Sequence, residues 1–409
     1  MTPKNLNLYR SNRTERLVAA LADVLRAPTG DAFARDVVVV HSQGLERWLS
    51  MQLAHHLDIC ANVAFQFPGD LLAEAVSAWD PQADLSGWAS DRLLWSVHAE
   101  LQRHLDRPDF AEVKRWLNDD GGPHIARRLV DLAARVATLF ERYATYRAHE
   151  VVNWTASDGD WQHTLWVAVR DRMPGSDPAT LCNGFIDALG GDAVDLGTLA
   201  NRICVFSVST LPPLHVRMLA RLARHREVHL FVLAGTPMKR EFEHPLLASM
   251  GTLNRDFQDA IDSADPPCVE PLGDLFEDPG ADTMLHALQS DILHDRVGVA
   301  RKLDGVANIR VHSCHSPIRQ VQVLRDVLLE LFEADHALQP REILVMTPDM
   351  ETYAPLVQAI FADGEEWQRR DKHPGGLPAI PYRLADRGSV ATNPAAGALL
   401  QALRILPGR

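Results

Sequence analysis

The sequence predicts an α/β fold in which a parallel sheet is assembled from two separated stretches of chain, with a run of helices between them and a partial second α/β unit after them. Three observations predict it. Val37 to Val40 is an unbroken β-branched run, and Leu45, Trp48, Leu49 and Leu53 follow at helical spacing, so VVVVHSQGLERWLS reads as buried strand, tight loop and helix. Ile203 to Ser207 (ICVFS) and Val228 to Leu233 (VHLFVL) flank the apolar-periodic helix Leu214 to Arg224, the spacing of a right-handed crossover between parallel strands. From about Pro68 to Leu189 the periodicity is helical throughout.

In chain order, Asn5 to Arg10 reads as a short first strand. Thr14 to Arg26 reads as an amphipathic helix with Leu17, Leu21 and Leu25 on one side. The helical stretch includes Asp91 to Leu105 and Ile125 to Tyr146, with polar connectors at Asp80 to Gly87 and Ser157 to Asp160. Asp256 to Asp282 is acidic and rich in Pro and Gly, a composition that buries little, and it reads as a surface linker or a domain boundary. Beyond it the pattern predicts strand Ile309 to Ser313, helix Pro317 to Phe332, strand Ile343 to Met346, helix Thr352 to Phe361, a strand near Ile380 to Leu384 and helix Ala395 to Leu403. The expected organisation is a first α/β domain in two parts (1–70 and 191–265), a helical insert (71–190), an acidic linker and helix (266–300) and a partial second α/β domain (301–409).

The charged share of 23% and hydrophobic share of 46% are those of an ordinary folded chain. A net charge of −13 argues against non-specific coating of duplex DNA but leaves room for a local cationic channel. Cys60, Cys182, Cys204, Cys268 and Cys314 are scattered with no CxxC pair, which argues against a disulfide framework or a zinc ribbon. No apolar run is long enough to span a bilayer and MTPKNLNLYRSN has no apolar core, so a cytoplasmic protein without membrane contact is expected.

The strand, loop and helix around His41 occupy the place of a phosphate-binding loop in a nucleotide-driven motor, yet its chemistry is missing. None of Lys4, Lys114, Lys239, Lys302 and Lys372 follows a Gly, so the Gly-Lys-Ser/Thr signature is absent. After ICVFS the chain continues Ser207-Val208-Ser209-Thr210-Leu211-Pro212-Pro213, with no carboxylate to hold magnesium or orient water. Neither GxSxG nor HExxH occurs. His312, Cys314 and His315 read as a strand end rather than a metal site, and His55-His56 as helix surface, since neighbouring helical positions point about 100° apart. No catalytic residue, cofactor or metal is expected. The positive signal lies on the helix from Ile125: Leu129, Leu132, Val136, Leu139 and Tyr143 would form its buried face, while Arg128, Arg135 and Arg142 repeat every seventh position, with Arg147 just beyond. Such a stripe beside Tyr143 and Tyr146 suits a nucleic-acid strand, or equally a solvated face with pairs such as Asp131 with Arg135.

These residues resemble a known family. YRSNRTERL (Tyr9 to Leu17), VVHSQGLERWL (Val39 to Leu49), CANVAFQFP (Cys60 to Pro68), FSVSTLPPLHVRML (Phe206 to Leu219) and HPLLASMGTLNRDF (His244 to Phe257) resemble the N-terminal part of RecC, the gamma subunit of exodeoxyribonuclease V. So do LHALQSDIL (Leu285 to Leu293), CHSPIRQVQVLRDVLL (Cys314 to Leu329), ILVMTPDMETYAPLVQAIF (Ile343 to Phe361) and IPYRLADR (Ile380 to Arg387). The resemblance implies an inactivated superfamily-one helicase-like fold, with a motor-like domain interrupted by the helical insert and followed by a partial second one. It implies a non-catalytic, DNA-binding subunit that works with RecB-like and RecD-like partners in double-strand break repair. Such a subunit handles forked double-stranded DNA, channels single-stranded DNA and scans it for a Chi signal.

By position it places His41, Gln43, Arg47 and Phe67 on one side of the strand channel and Leu139, Glu141, Arg142 and Arg147 on the other, with Arg128 and Arg135 along the same helix. Arg147 follows Tyr146 as in the family's Tyr-Arg pair. His41, Arg47 and Arg142 are basic where the family pattern has amides, which moves base reading from adenine toward guanine or phosphate. RecC chains run far longer, with a nuclease-like C-terminal domain, so strand splitting is not expected of this stretch alone. Two alternatives stand beside this reading: an active ATP-dependent helicase or nuclease subunit of the AddB type, and a scaffold that binds only protein.

Overall fold

The computed structural model describes residues 6–28, 34–118, 125–155, 160–191, 194–197, 199–207, 210–237, 241–297, 308–369, 380–385 and 394–405. The chain forms two compact units, Met1–Val306 and Ala307–Arg409.

The first unit is built on five strands, β1 (Asn7–Ser11), β2 (Asp36–Val39), β3 (Val63–Gln66), β4 (Arg202–Phe206) and β5 (Glu227–Leu233), in the order β1-β5-β4-β2-β3 and all parallel. A parallel sheet is covered on both faces, and the valine run shows how the sequence meets that demand. Val37 and Val39 enter one apolar cluster with Leu8, Ile203, Val205, Val228 and Leu230; Val38 and Val40 enter the other with Tyr9, Cys204, Phe206 and Phe231. Every position is buried because alternate side chains serve different cores.

Helices α1 (Thr14–Arg26) and α2 (Gln43–Leu57) cover the second of these faces with Leu17, Leu21, Leu49 and Leu53. The first face is joined to a larger helical layer between β3 and β4: α3 (Pro68–Trp79), α4 (Ser90–His104), α5 (Ala111–Asn118), α6 (Ile125–Tyr146), α7 (Ala148–Val151), α8 (Trp161–Arg172) and α9 (Pro178–Ala188). Its interior is aromatic, with Trp166 against Trp88, Phe140 and Trp154. On α4 the buried Glu100 gathers Arg103 at 2.8 Å and Arg172 at 3.1 Å. Helix α10 (Pro213–Leu222) links β4 to β5, and α11 (Pro245–Met250), α12 (Thr252–Asp262) and α13 (Met284–Leu293) follow.

The acidic Pro/Gly-rich segment does not behave as a free linker. Its first part is the helix α12, and the part beyond lies along the edge strand β1. Leu8 N–H donates to Val269 O at 2.8 Å and Val269 N–H to Leu6 O at 2.9 Å. Further along, Ser11 Oγ donates to Leu275 O at 2.8 Å, and Asn12 exchanges bonds with the Glu277 backbone at 2.8 and 2.9 Å. Arg10 pairs with Glu270 and Arg16 with Glu277. The segment covers backbone groups that an open edge would leave for another chain.

A buried charge closes the opposite end of the strands. Arg202 begins β4 at 2% exposure, ion-paired with Asp36 of β2 at 3.3 Å and Glu227 of β5 at 3.4 Å and donating to Ala27 O at 2.8 Å. Glu227 in turn holds His229 at 2.9 Å, which meets the Tyr9 hydroxyl of β1 at 3.2 Å. The His229 hydrogen bond holds the Glu227 carboxyl below its ordinary value, whereas burial outweighs Arg202 at Asp36 and raises it.

The second unit contains α14 (Pro317–Ala334), α15 (Met350–Arg369) and α16 (Pro394–Ile405), with Val321, Leu328, Phe361 and Ile380 at its core. The strands expected at Ile309 to Ser313, Ile343 to Met346 and Ile380 to Leu384 do not form: among the described residues of this unit there is no strand. Val311, Leu344 and Met346 are more than four-fifths exposed. A strand exists only where a neighbour completes its ladder, and the apolar pattern alone does not supply one. Among the described residues no helix is long and apolar enough to cross a membrane.

Two measurements test this account. Arg202→Ala leaves Asp36 without its counter-ion inside the protein, so urea unfolding of the variant is expected to show a loss of roughly 3–5 kcal/mol, with Arg202→Lys between it and the wild type. His215 on α10 is held to about 4 by burial. Between its ordinary value and that one the unfolded chain binds the extra proton, so its contribution to stability falls as the pH falls. From pH 7 to pH 5 the wild type should lose roughly 2 kcal/mol that a His215→Leu variant does not lose.

Candidate nucleic-acid interface

Two groups of side chains carry the expected DNA contacts, and the fold treats them differently. The first lies where β2 and β3 end. Val40 N–H donates to Gln66 O at 2.9 Å, extending the parallel pairing in which Val39 faces Gln66, so His41 and Phe67 leave adjacent strands at the same edge. Ser42 is extended (φ −154°, ψ 152°) and caps α2, its Oγ accepting from Leu45 N–H at 3.2 Å. Gln43 and Arg47 are exposed on the first turns of α2 while Leu49 and Leu53 anchor the helix below. Phe67 caps α3 and is 40% exposed, with Asp70 Oδ2 accepting from its N–H at 3.4 Å. The structure therefore brings His41, Gln43, Arg47 and Phe67 to one edge.

That edge contains the sheet's switch point. The chain leaves β2 toward β3 on one side and leaves β4 toward β5 on the other, so the ends of β2 and β4 flank the crevice where open α/β sheets place their ligands. Only Val40, His41 and Ser42 separate the end of β2 from the start of α2. A phosphate loop needs a longer turn with free N–H groups at the helix start, and here the Ser42 hydroxyl already takes one of them. Across the crevice Ser207 turns at φ 51°, with its N–H on Phe231 O at 2.9 Å.

The second group lies on α6, whose buried face is turned slightly from the expected one. Leu129, Ala133, Val136, Ala137, Phe140 and Ala144 are buried; Leu132 and Tyr143 flank them, and Leu139 lies half exposed outside the apolar cluster. The alanines were missed because a small side chain gives a weak periodic signal, although it lets α4 approach closely. The arginine stripe divides in two. Arg128 is drawn to α5, its guanidinium 5.2 Å from the Trp116 ring centre and its Nη1 donating to Trp116 O at 3.1 Å. Arg147 lies over Tyr143 at 5.6 Å and 4.0 Å from Glu150. Arg135 and Arg142 are exposed and have no hydrogen-bond or ion-pair partner among the described residues, so the alternative pairing of Arg135 with Asp131 is not formed. Glu141 is exposed about 100° around the helix from Arg142 and does not share its line.

The two groups belong to different layers, α2 to the cluster of Val38 and Val40 and α6 to that of Val37 and Val39. Sequence reasoning missed Trp116 because its partner Arg128 lies on another helix, beyond the reach of any local pattern. Among the described residues no three His, Cys, Asp or Glu side chains converge to hold a metal ion.

A doubly covered parallel sheet, a helical layer inserted between its third and fourth strands and a capped turn at its switch point define an α/β protein with a crevice at the strand ends. Comparison with known proteins gives the family. Residues 6–295 match the model for RecC, N-terminal domain, and the chain belongs to the RecC family. Over 99% of its length it is 35% identical to the RecBCD enzyme subunit RecC of Mycolicibacterium smegmatis, 33% to that of Mycobacterium tuberculosis and 28% to that of Escherichia coli. It spans 39%, 40% and 41% of the lengths of those three relatives.

The division of the stripe predicts a division in stability. Arg128→Ala removes a ring contact and a hydrogen bond and should cost about 1–2 kcal/mol. Arg135→Ala and Arg142→Ala should stay within about 0.5 kcal/mol of the wild type, as read by thermal or urea unfolding.

Proposed function

We propose that this chain supplies the strand-guiding N-terminal part of a non-catalytic subunit of an exodeoxyribonuclease V type helicase and nuclease complex, acting with RecB-like and RecD-like subunits in double-strand break repair. In this reading residues 1–70 and 191–265 form one helicase-type motor domain that has lost its nucleotide chemistry. Residues 71–190 are its helical insert, 266–300 its acidic border, and 301–409 part of a second motor-like unit, whose described residues form helices and no strand. The subunit works in the cytoplasm without a cofactor of its own, and takes forked DNA only as part of the complex.

The RecC match over residues 6–295 carries this reading. The printed names of the relatives place those proteins in the RecBCD enzyme. The switch-point geometry supports the loss of nucleotide chemistry, since the turn before α2 is short and the Ser42 hydroxyl takes one of the N–H groups at the helix start. Arg135 and Arg142, without a hydrogen-bond or ion-pair partner among the described residues and about 10 Å apart along one helix line, supply the phosphate contacts. His41, Gln43, Arg47 and Phe67 face bases from the strand-end crevice, where Phe67 stacks and His41 and Arg47 favour guanine or phosphate. Scanning for a Chi-like signal is assigned to that edge.

The test is single-strand binding by the purified chain over a salt series. Replacing Arg135, Arg142 and Arg147 together by Ala should weaken binding and lower the slope of log K against log salt by about 1.4, at roughly 0.7 for each of the two phosphate contacts of Arg135 and Arg142. An unchanged slope would favour a scaffold that contacts protein alone.

A further inference from the structure

Tyr143 and Tyr146 both stand beside the arginines of α6, but the fold leaves only one of them available. The Tyr143 hydroxyl donates to Gln162 Oε1 at 3.1 Å, its ring meets Trp154 edge-on at 5.5 Å and Phe140 at 6.4 Å, and Arg147 covers it at 5.6 Å. Tyr146 is 56% exposed and has no hydrogen-bond, ion-pair or ring partner among the described residues. It is the last residue of α6, and Arg135, Leu139, Arg142 and Tyr146 follow one another at spacings of four, three and four, which keeps them on one line of the helix surface. That line runs roughly 16 Å from Arg135 to Tyr146 at the rise of an α-helix.

We infer that Tyr146 is a base-stacking platform for single-stranded nucleic acid, positioned at the end of a track whose phosphate contacts are Arg142 and Arg135. The inference rests on the DNA-guiding reading above and makes its ligand specific. A rigid ring with an uncovered face accepts a base plane at small entropic cost, and the two unpaired guanidinium groups on the same line accept the backbone of the same strand. Leu139, half exposed between them, keeps the middle of the track apolar and free of competing carboxylates. A duplex cannot use such a platform because its bases are stacked on each other, so the ligand is an unpaired strand. Stacking also tolerates any base, so Tyr146 holds the strand without reading its sequence. Reading remains with the strand-end group around His41.

The experiment measures binding of the full chain to a fluorescent oligothymidylate and to the same oligonucleotide carrying abasic sites. Tyr146→Ala should weaken binding to the intact strand by roughly 5- to 150-fold, the range set by one lost base stack. Tyr146→Phe and Tyr146→Trp should stay close to the wild type because both keep a ring, and either variant guards against a folding defect in the Ala form. On the abasic strand the Tyr146→Ala penalty should disappear, and its salt slope on the intact strand should match the wild type because no phosphate contact is lost. Equal affinity of Tyr146→Ala and wild type, or an equal penalty on the abasic strand, overturns the inference while leaving the arginine contacts standing. Failure of the wild-type chain to bind any single strand overturns both.

Discussion

The first unit depends on keeping a parallel sheet dry on both faces while its ends remain polar. Strands covered on both sides have no solvated face, so charged groups can enter the sheet only at its ends and only with partners. At the N-terminal end of the strands that condition is met by Arg202, which reaches β2 and β5 and, through Glu227 and His229, the Tyr9 hydroxyl of β1. One guanidinium thereby ties together strands that come from two distant parts of the chain. The Tyr9 hydroxyl, pushed up to about 12 mainly by burial, stays neutral and serves as a hydrogen-bonding group within this network.

The C-terminal end of the strands carries exposed side chains instead of a buried charge network. In a motor the helix start after the second strand is an anion site because its N–H groups are free. Here Ser42 satisfies one of those groups internally and the turn is too short to wrap a phosphate chain, so the edge presents side chains where a motor presents backbone. Side chains of different shape can distinguish bases, whereas a ring of backbone N–H groups recognises phosphate without regard to sequence. That difference is what the proposed function draws on.

Much of this was legible in the sequence. Thr14–Arg26 and Ile125–Tyr146 have the helix bounds read from periodicity alone, because each buries one apolar stripe against its neighbours and the stripe is written in the chain. The valine run announced a strand covered on both faces. The features that were not legible depend on partners remote in sequence. Residues 309–313 and 343–346 have strand composition but no ladder. The acidic segment buries little of its own surface, yet Ser11, Asn12 and the β1 backbone hold it down through its carbonyl and amide groups, which composition does not encode. Of the site, the identity of the exposed residues after β2 was readable. The fate of each arginine was not, since Arg128 and Arg147 differ from Arg135 and Arg142 in having an aromatic ring and a polar partner within reach.

That last difference bears on how an acidic protein can hold an acidic polymer. With a net charge of −13, long-range attraction of DNA is unfavourable, and at physiological ionic strength charges beyond about 8 Å are largely screened. On the proposed function, binding then comes from a few short-range contacts made by cations that are not already neutralised. Pairing lowers the worth of Arg147, and packing on Trp116 fixes Arg128 in place, so the effective track contracts to Arg135 and Arg142 with an aromatic end. On the proposed function, a track this sparse grips a strand weakly at any one point, as suits a surface along which other subunits draw the DNA. A denser row of cations would hold the same strand too firmly to let it pass.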